Sequence, residues 1–267
     1  VELPDWVPDG VEVTVPNAAR MYDYALGGYH NFAVDREFVE RAEKLMPGAI
    51  AVGHANRAFV GRSVRWLVDA GIRQFLDIGS GIPTLGNVHE VAQQAAPDSR
   101  VIYVDIDPVA VAHSQAILTG NDLAHVIQAD LRHPADILYH PHVLALLDFS
   151  RPVAVLLNAV MHFVPDSDDP LAIMAQIRDA LVGGSYVAMT HGTKFAERAH
   201  EQEDVAQLYR STPTSVHYRT EGEVRAMFDG FELVEPGIVT VTYWHPDPDE
   251  QDDPPQPGVL AVLGRKP

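Results

Sequence analysis

Residues Phe75-Leu76-Asp77-Ile78-Gly79-Ser80-Gly81-Ile82-Pro83-Thr84-Leu85-Gly86-Asn87 read as a buried strand, a glycine turn and the start of a helix. Gly79 and Gly81 let the backbone bend sharply and admit a ligand with no Cβ in the way. A helix beginning after Pro83 would aim its free N–H groups back at the turn. That geometry is a nucleotide-binding cradle, but not the dinucleotide form: G-x-G-x-x-G needs glycine at position 84, where Thr84 stands. Asp77 also lies two residues ahead of Gly79, so a pyrophosphate is repelled there and an ammonium group attracted. Alone, the glycine pair is equally compatible with a tight strand-to-helix turn that binds nothing.

Strand and helix patterns alternate from residue 72 onward. Leu85 to Ala95 reads as a helix, Arg100 to Asp105 as a strand, Val109 to Leu118 as a helix and His125 to Asp130 as a third strand. Val143 to Leu147 belongs to a short helix and Pro152 to Asn158 to a fourth strand. Asp169 to Leu181 is helical, with Ser167 or Asp168 as cap and Pro170 in its first turn. Tyr186 to His191 is a fifth strand and Glu221 to Phe228 a further helix. Phe231–Val234, Val239–Trp244 and Val259–Leu263 are strand-like, with an acidic, proline-rich loop before the last of them. Strands joined without a helix imply an antiparallel pair at a sheet edge. The class is therefore α/β, a mostly parallel sheet with a C-terminal antiparallel pair.

Ahead of this core, residues 1–15 read as an irregular arm. Three helices follow: one within Pro16 to Gly28 capped by Asn17, one over Asp35 to Leu45, and one from Ala49 to Ala70. No linker of biased composition separates them from the first strand. They are expected to form a cap (1–71) on a core (72–267) within a single domain.

The composition narrows the partners. The net charge of −18, with no basic patch, disfavours a phosphate backbone as substrate, which leaves a small molecule or a protein. The absence of cysteine excludes disulfides, thiolate nucleophiles and Cys-ligated zinc. No window approaches the roughly 20 apolar residues of a membrane span, and no secretion signal is visible, so a cytoplasmic protein is expected. His133, His140 and His142 lie among prolines, with no fixed ligand geometry, and no metal is expected there.

In open α/β sheets ligands bind at the carboxyl ends of strands. Asp77, Asp105, Asp130, Asn158 and His191 all fall at or beside such ends. Asp105 lies 24 positions after Gly81, close to the separation of about 20 for a ribose-binding acid. Asp130 has the chemistry to accept from an adenine amino group, or to cap the turn that follows it. Asp107-Pro108 is helix-starting chemistry rather than a site.

Asp77-x-Gly79-x-Gly81, Asp105, Asp130 and the Asn158 strand, in that order, resemble a Rossmann-like S-adenosylmethionine-dependent methyltransferase. More narrowly, residues 16–28, Asn56-Arg57-Ala58-Phe59, residues 75–84 and Val104 to Pro108 resemble an actinobacterial family of such methyltransferases long catalogued as a domain of unknown function. The resemblance spans essentially the whole chain, and Tyr22-Asp23-Tyr24-x-Leu26-Gly27-Gly28 is its most distinctive block. Pro83 stands where a third glycine is common in the general pattern.

The resemblance implies a cofactor and a set of contacts. Asp77 would sit near the methionine ammonium, with Gly79, Ser80 and Gly81 passing under the methionine. Asp105, followed by Ile106, would hold the ribose. Asp130 would meet the adenine amino group, with the Leu131 N–H facing the ring. Asn158, with Ala159, would offer a backbone carbonyl to the ammonium. Tyr22 and Asn31 would close over the cofactor from the cap, and Arg57 is a candidate counter-charge for its carboxylate. A sulfonium methyl is already electrophilic, so the protein mainly aligns a nucleophile and excludes water. A base is needed only for a neutral hydroxyl or a protonated amine. His162, His191 and Tyr22 are the candidates. Asn158-Ala159-Val160-Met161 is not Asn-Pro-Pro-Tyr, which argues against methylation of DNA-base amino groups. Two alternatives remain open: a protein that binds S-adenosylmethionine or S-adenosylhomocysteine without turnover, and an NAD-dependent oxidoreductase.

Overall fold

The computed structural model describes residues 7–8, 11–83, 86–248, 250–251 and 258–267. The cap consists of α1 (Ala18–Ala25), α2 (Ala33–Leu45) and α3 (Ala49–Asp69). Then come β1 (Gln74–Ile78), α4 (Val88–Ala95), β2 (Arg100–Asp105), α5 (Pro108–Ile117) and β3 (Ala124–Gln128). Two short helices, α6 (Pro134–Leu138) and α7 (Pro141–Leu146), lead to β4 (Ala154–Asn158), α8 (Pro170–Ala180) and β5 (Tyr186–Gly192). The chain closes with α9 (Ala199–Tyr209), α10 (Glu221–Ala226), β6 (Glu232–Leu233), β7 (Val239–Thr240) and β8 (Val259–Arg265).

The eight strands form one sheet in the order β3-β2-β1-β4-β5-β8-β6, with β7 also paired to β8. β1 to β5 run parallel and β8 is antiparallel to β5, β6 and β7. The chain moves from β1 out to β3 and then returns to the other side of β1 at β4. The switch point between β1 and β4 is where a crevice opens at the strand ends. The expected antiparallel ending is present, but β8 lies inside the sheet, with β5 along one edge and the two-residue strands β6 and β7 along the other.

Parity along the strands assigns the two faces. Leu76 and Ile78 of β1, with Val155 and Leu157 of β4, pack toward Ile173, Met174 and Ile177 of α8. Phe75, Val101, Ala154, Leu156 and Ala188 pack instead toward Phe59, Val64 and Leu67 of α3 and Val88 and Ala92 of α4. Asp77, Tyr103, Asp105, Asn158 and Thr190 share the parity of that second set. A sheet covered by helices on both sides explains why these strands read as continuous apolar runs.

Several local expectations shift. The helix after the glycine turn begins at Val88, because Asn87 and Glu90 form a capping box there; Thr84 and Leu85 lie outside the described residues. Asp169, not Ser167 or Asp168, caps α8, its carboxylate accepting from Ala172 N–H at 3.0 Å. The second half of Val239–Trp244 is a 3-10 turn, and α6 and α9 were not expected. The acidic loop is not simply solvated: Glu250 pairs with buried Arg62 at 2.5 Å and Asp247 pairs with Arg65, while residues 249 and 252–257 lie outside the described residues. Most of the N-terminal arm, residues 1–6 and 9–10, also lies outside them.

Candidate functional site

The glycine turn owes its shape to both glycines, for different reasons. Gly79 has φ +73°, and a Cβ on it would stand 2.4 Å from Val160 Cγ2. Gly81 has φ +67° and would point a Cβ into open space. The first glycine is required by packing against the chain after β4, and the second keeps room beside the strand ends.

Two carboxylates flank the turn on the α3/α4 face, each only 7% exposed. Burial pushes the Asp77 carboxyl up to about 7, with the Arg57 charge opposing and Asp105 reinforcing the rise. Burial raises Asp105 to about 6, against backbone hydrogen bonds that favour its ionised form. Asp105 Oδ2 accepts from Gly81 N–H at 2.7 Å and Oδ1 from Asp107 N–H at 2.9 Å. A carboxylate has about four lone-pair sites, so two remain for ribose hydroxyls. Ile106, next in the chain, leaves 55% of its surface exposed, an apolar face beside the acid. Arg57, Asp77, Ser80, Gly81, Asn87 and Tyr103 line a cavity of about 10 Å³. A recess of about 580 Å³ on the cap, between Tyr24 and His54, shares none of these residues.

Across the switch point, Asn158 ends β4 with both side-chain atoms, Oδ1 and Nδ2, buried and without a hydrogen-bond partner; Ser80 Oγ is likewise unpaired. Such groups are costly to leave unmade in a folded chain. The next residue, Ala159, takes a left-handed φ of +53°. Asp130 lies at the far side, after β3. Burial tends to raise its pKa, but the bonds from Arg132 outweigh this and hold it below the usual carboxylate range. Arg132 Nε approaches both oxygens, at 3.0 and 2.9 Å, and Nη2 reaches Oδ2 at 2.6 Å. Leu131 beside it is buried.

The cap residues are placed otherwise than expected. Asn31 Nδ2 donates to Asp23 Oδ2 at 2.8 Å and to the Gly28 carbonyl at 3.0 Å, and its Oδ1 accepts from Arg36 at 3.0 Å. Its side-chain polar atoms are committed to partners inside the cap. Tyr22 Oη donates to the Gly53 carbonyl at 3.0 Å and accepts from Asn56 Nδ2 at 2.7 Å. Burial raises its pKa further, which works against an ionised phenolate there.

His191 is also corrected. The parity of β5 turns it to the α8 face, away from Asp77 and Asn158. Its Nδ1 donates to the Gly192 carbonyl at 2.7 Å and its Nε2 accepts from Arg219 Nη1 at 3.1 Å. No lone pair is left to take a proton, and burial pushes its pKa down to about 4. His162 sits in the turn after β4, its Nδ1 facing Gly192 N–H at 3.4 Å; burial, then the neighbouring His191 and Arg219, hold its pKa down to about 3. That contact favours the tautomer with the proton on Nε2, a hydrogen-bond donor rather than a base.

Arg219, Thr190 and Asn56 carry much of this geometry, and the sequence reading assigned none of them a role in it. Buried Arg219 binds the carbonyls of Met161 and Val164 and the Asp166 carboxylate at 3.1, 2.7 and 2.7 Å. Period-two parity matched between β4 and β5 would have picked out Thr190 instead of His191. Arg219, in the loop after α9, carried no sequence signal.

A family model described as S-adenosyl methyltransferase matches residues 4–267. A DUF574 family protein from Streptomyces avermitilis is 40% identical, with TM-score 0.90, over 96% of this chain and 99% of that one. A provisionally assigned methyltransferase from Thermobifida fusca is 40% identical, with TM-score 0.91, over 98% of this chain and 99% of that one. Human N-acetylserotonin methyltransferase in complex with SAM is 15% identical, with TM-score 0.50, over 92% of this chain and 62% of that one, a likeness of fold alone. No curated protein matches. With the family model and the two 40%-identical structures each spanning nearly all of it, the chain belongs to the S-adenosyl methyltransferase family, whose methyl donor is S-adenosylmethionine.

Proposed function

We propose that this chain, as a single methyltransferase domain, moves the methyl group of S-adenosylmethionine to a small-molecule or protein acceptor. The observation that carries the reading is the orphaned Asn158 amide at the β1/β4 switch point, facing the same side of the sheet as Asp77 and Asp105. A zwitterionic amino acid supplies both a donor and an acceptor to such an amide; its ammonium group suits the buried Asp77 carboxylate and its carboxylate suits the Arg57 charge that lines the same cavity.

The residues present fit the cofactor. Asp77 takes the methionine ammonium, together with the Asn158 carbonyl and Ala159. Arg57 offers charge to the carboxylate. Gly79, Ser80 and Gly81 leave space along the methionine. Asp105 uses its two remaining acceptor sites on the ribose hydroxyls, with Ile106 beside the purine. Asp130 and the Leu131 N–H serve the adenine edge, which requires the half-exposed Arg132 side chain to share or release the Asp130 carboxylate.

When bound, the cofactor supplies an electrophilic methyl group on sulfur. The chain's own work is to orient the acceptor and exclude water. His162 donates a hydrogen bond from Nε2 to the acceptor and does not remove its proton, so an acceptor that is nucleophilic without a base is favoured. The net charge of −18 keeps nucleic acid out of the substrate class. Among the described residues no helix is long and apolar enough to cross a membrane.

Calorimetric titration with S-adenosylmethionine, S-adenosylhomocysteine and NAD tests the cofactor. Micromolar binding of the first two and none of NAD is expected. NAD binding instead, or no binding at all, would overturn the reading. Tight cofactor binding with no methyl transfer to any fraction of a metabolite and protein extract would favour a binding protein without turnover.

A further inference from the structure

One directed chain of hydrogen bonds joins the end of β4 to the cap. The Ala159 N–H donates to Thr190 Oγ1 at 2.8 Å and, at a longer 3.3 Å, to the Thr190 carbonyl. The Thr190 hydroxyl donates to Asn56 Oδ1 at 2.5 Å. Asn56 Nδ2 donates to Tyr22 Oη at 2.7 Å, and the Tyr22 hydroxyl donates to the Gly53 carbonyl at 3.0 Å. The order of donors is forced. The Gly53 carbonyl only accepts, so the single Tyr22 proton goes to it and the Tyr22 oxygen is left to accept from Asn56. Asn56 must then turn its oxygen to Thr190 and its amino group to Tyr22. Three elements distant in sequence, α1, α3 and β5, thus fix the residue that follows β4.

The polar groups in this chain are not required for packing. Thr190 is fully buried and Asn56 nearly so. Their β5 neighbours on the same face, Tyr186 and Ala188, belong to an apolar cluster with Phe59 and Val64 of α3. Valine at 190 and leucine at 56 would fill the same space. What the hydroxyl and amide add is direction: they anchor the N–H of a residue held at φ +53°, immediately after the unpaired Asn158 side chain.

We propose that Asn56 is a positioning residue. Acting through Thr190, it holds the Ala159 turn so that Asn158 presents its amide and carbonyl to S-adenosylmethionine, and it links cofactor binding to the packing of α1 on α3. This deepens the proposed function and rests on the β1/β4 switch point being the cofactor site. Tyr22 is the cap end of the link and makes no contact with the cofactor.

The test uses S-adenosylhomocysteine as probe, read by calorimetry and by amide hydrogen exchange. Thr190→Val keeps the shape and removes the hydroxyl; Thr190→Ser returns it. Thr190→Val is expected to weaken binding about tenfold, the loss of roughly one oriented hydrogen bond, and Thr190→Ser to recover most of it. In the wild type the ligand should slow exchange in residues 18–31 of the cap; in saturated Thr190→Val that ligand-induced slowing should vanish. Equal losses in Thr190→Val and Thr190→Ser, or unchanged cap protection in Thr190→Val, would overturn the proposal as mere packing. If Thr190→Val does not fold, Tyr22→Phe decides: weaker binding with reduced cap protection supports the link, and wild-type behaviour overturns it. A wild type that binds no S-adenosylhomocysteine overturns the cofactor reading itself, and the link to a cofactor falls with it.

Discussion

Asp105 Oδ2 accepts the Gly81 N–H at 2.7 Å, so the acid that ends β2 holds the glycine turn that follows β1. Its other oxygen accepts Asp107 N–H at 2.9 Å. One carboxylate therefore orders two backbone segments of the cradle and still has acceptor capacity toward a ribose. Asparagine there has a single acceptor oxygen and an amino group that would face one of those N–H groups. Asp105→Asn should cost about 1–2 kcal/mol of stability, the cost of a buried donor left unpaired. It should also weaken S-adenosylhomocysteine binding by about tenfold or more. Urea denaturation and calorimetry read the two effects separately; unchanged affinity would remove the ribose role.

The two glycines of the turn should fail differently. In Gly79→Ala the new methyl meets Val160 at 2.4 Å and the positive φ adds strain, so the variant should be severely destabilised. In Gly81→Ala nothing lies within 4 Å of the new methyl, which leaves only the left-handed penalty of about 1–2 kcal/mol. Because that methyl occupies the space kept for the ligand, Gly81→Ala should remain folded and lose cofactor binding. Thermal denaturation with and without S-adenosylhomocysteine separates these cases: a ligand-induced rise in Tm should be absent in folded Gly81→Ala.

The strands, the glycine turn and the acids at strand ends were legible because each rests on local pattern: β-branched runs, positive-φ glycines and polar residues where apolar runs stop. The Asn17 and Asp107 caps were legible for the same reason. Their side chains accept from Ala19 N–H at 2.8 Å and Val109 N–H at 2.6 Å, two residues on. The distinctive Tyr22–Gly28 block was visible, but its purpose was not. Asp23 bends back over Gly28, where a Cβ would stand 2.0 Å from Oδ1, and its other oxygen takes the N–H of His30 at 2.8 Å. Those contacts close the loop within the cap. His191 and Thr190 differ by one position, and the pleat sends them to opposite faces; only the register of β5 beside β4 shows which one accompanies Asn158. Arg219 reaches Met161 from 58 residues away, a contact that no local pattern encodes.

Arg219 should be essential to the turn that carries His162. Its guanidinium supplies donors to two carbonyls and to His191 Nε2, while its carboxylate partner Asp166 is 86% exposed. Arg219→Met strands those buried acceptors and should cost about 3 kcal/mol or more. Asp166→Asn touches only the solvent-exposed end of the ion pair and should cost under about 1 kcal/mol. Equal losses in the two variants, measured by urea denaturation, would show that the ion pair rather than the buried donors holds the turn.

Asp77 should give the free protein and its complex opposite responses to pH. Its carboxyl is raised from 3.8 to about 7 by burial, so the folded chain binds this proton more tightly than the unfolded chain does. The stabilisation is complete below the unfolded value and is lost as pH rises through about 7. The buried histidines act in the reverse sense: His162 and His191, lowered to about 3 and 4, stabilise above their ordinary value near 6.5, and that contribution fades as pH falls. Comparison with Asp77→Asn cancels the histidine contribution, because both proteins carry it. The variant's stability relative to the wild type should therefore be greater at pH 8 than at pH 5. A cofactor ammonium instead needs Asp77 ionised. Wild-type affinity for S-adenosylhomocysteine should accordingly rise from pH 5.5 and level off above about 7, while Asp77→Asn should bind weakly and keep only the shallower dependence that Asp105 contributes near 6. If Asp77→Asn kept the full pH dependence of binding, the ammonium contact would belong to another group, and the strand-end carboxylate would be left with a role in the free fold alone.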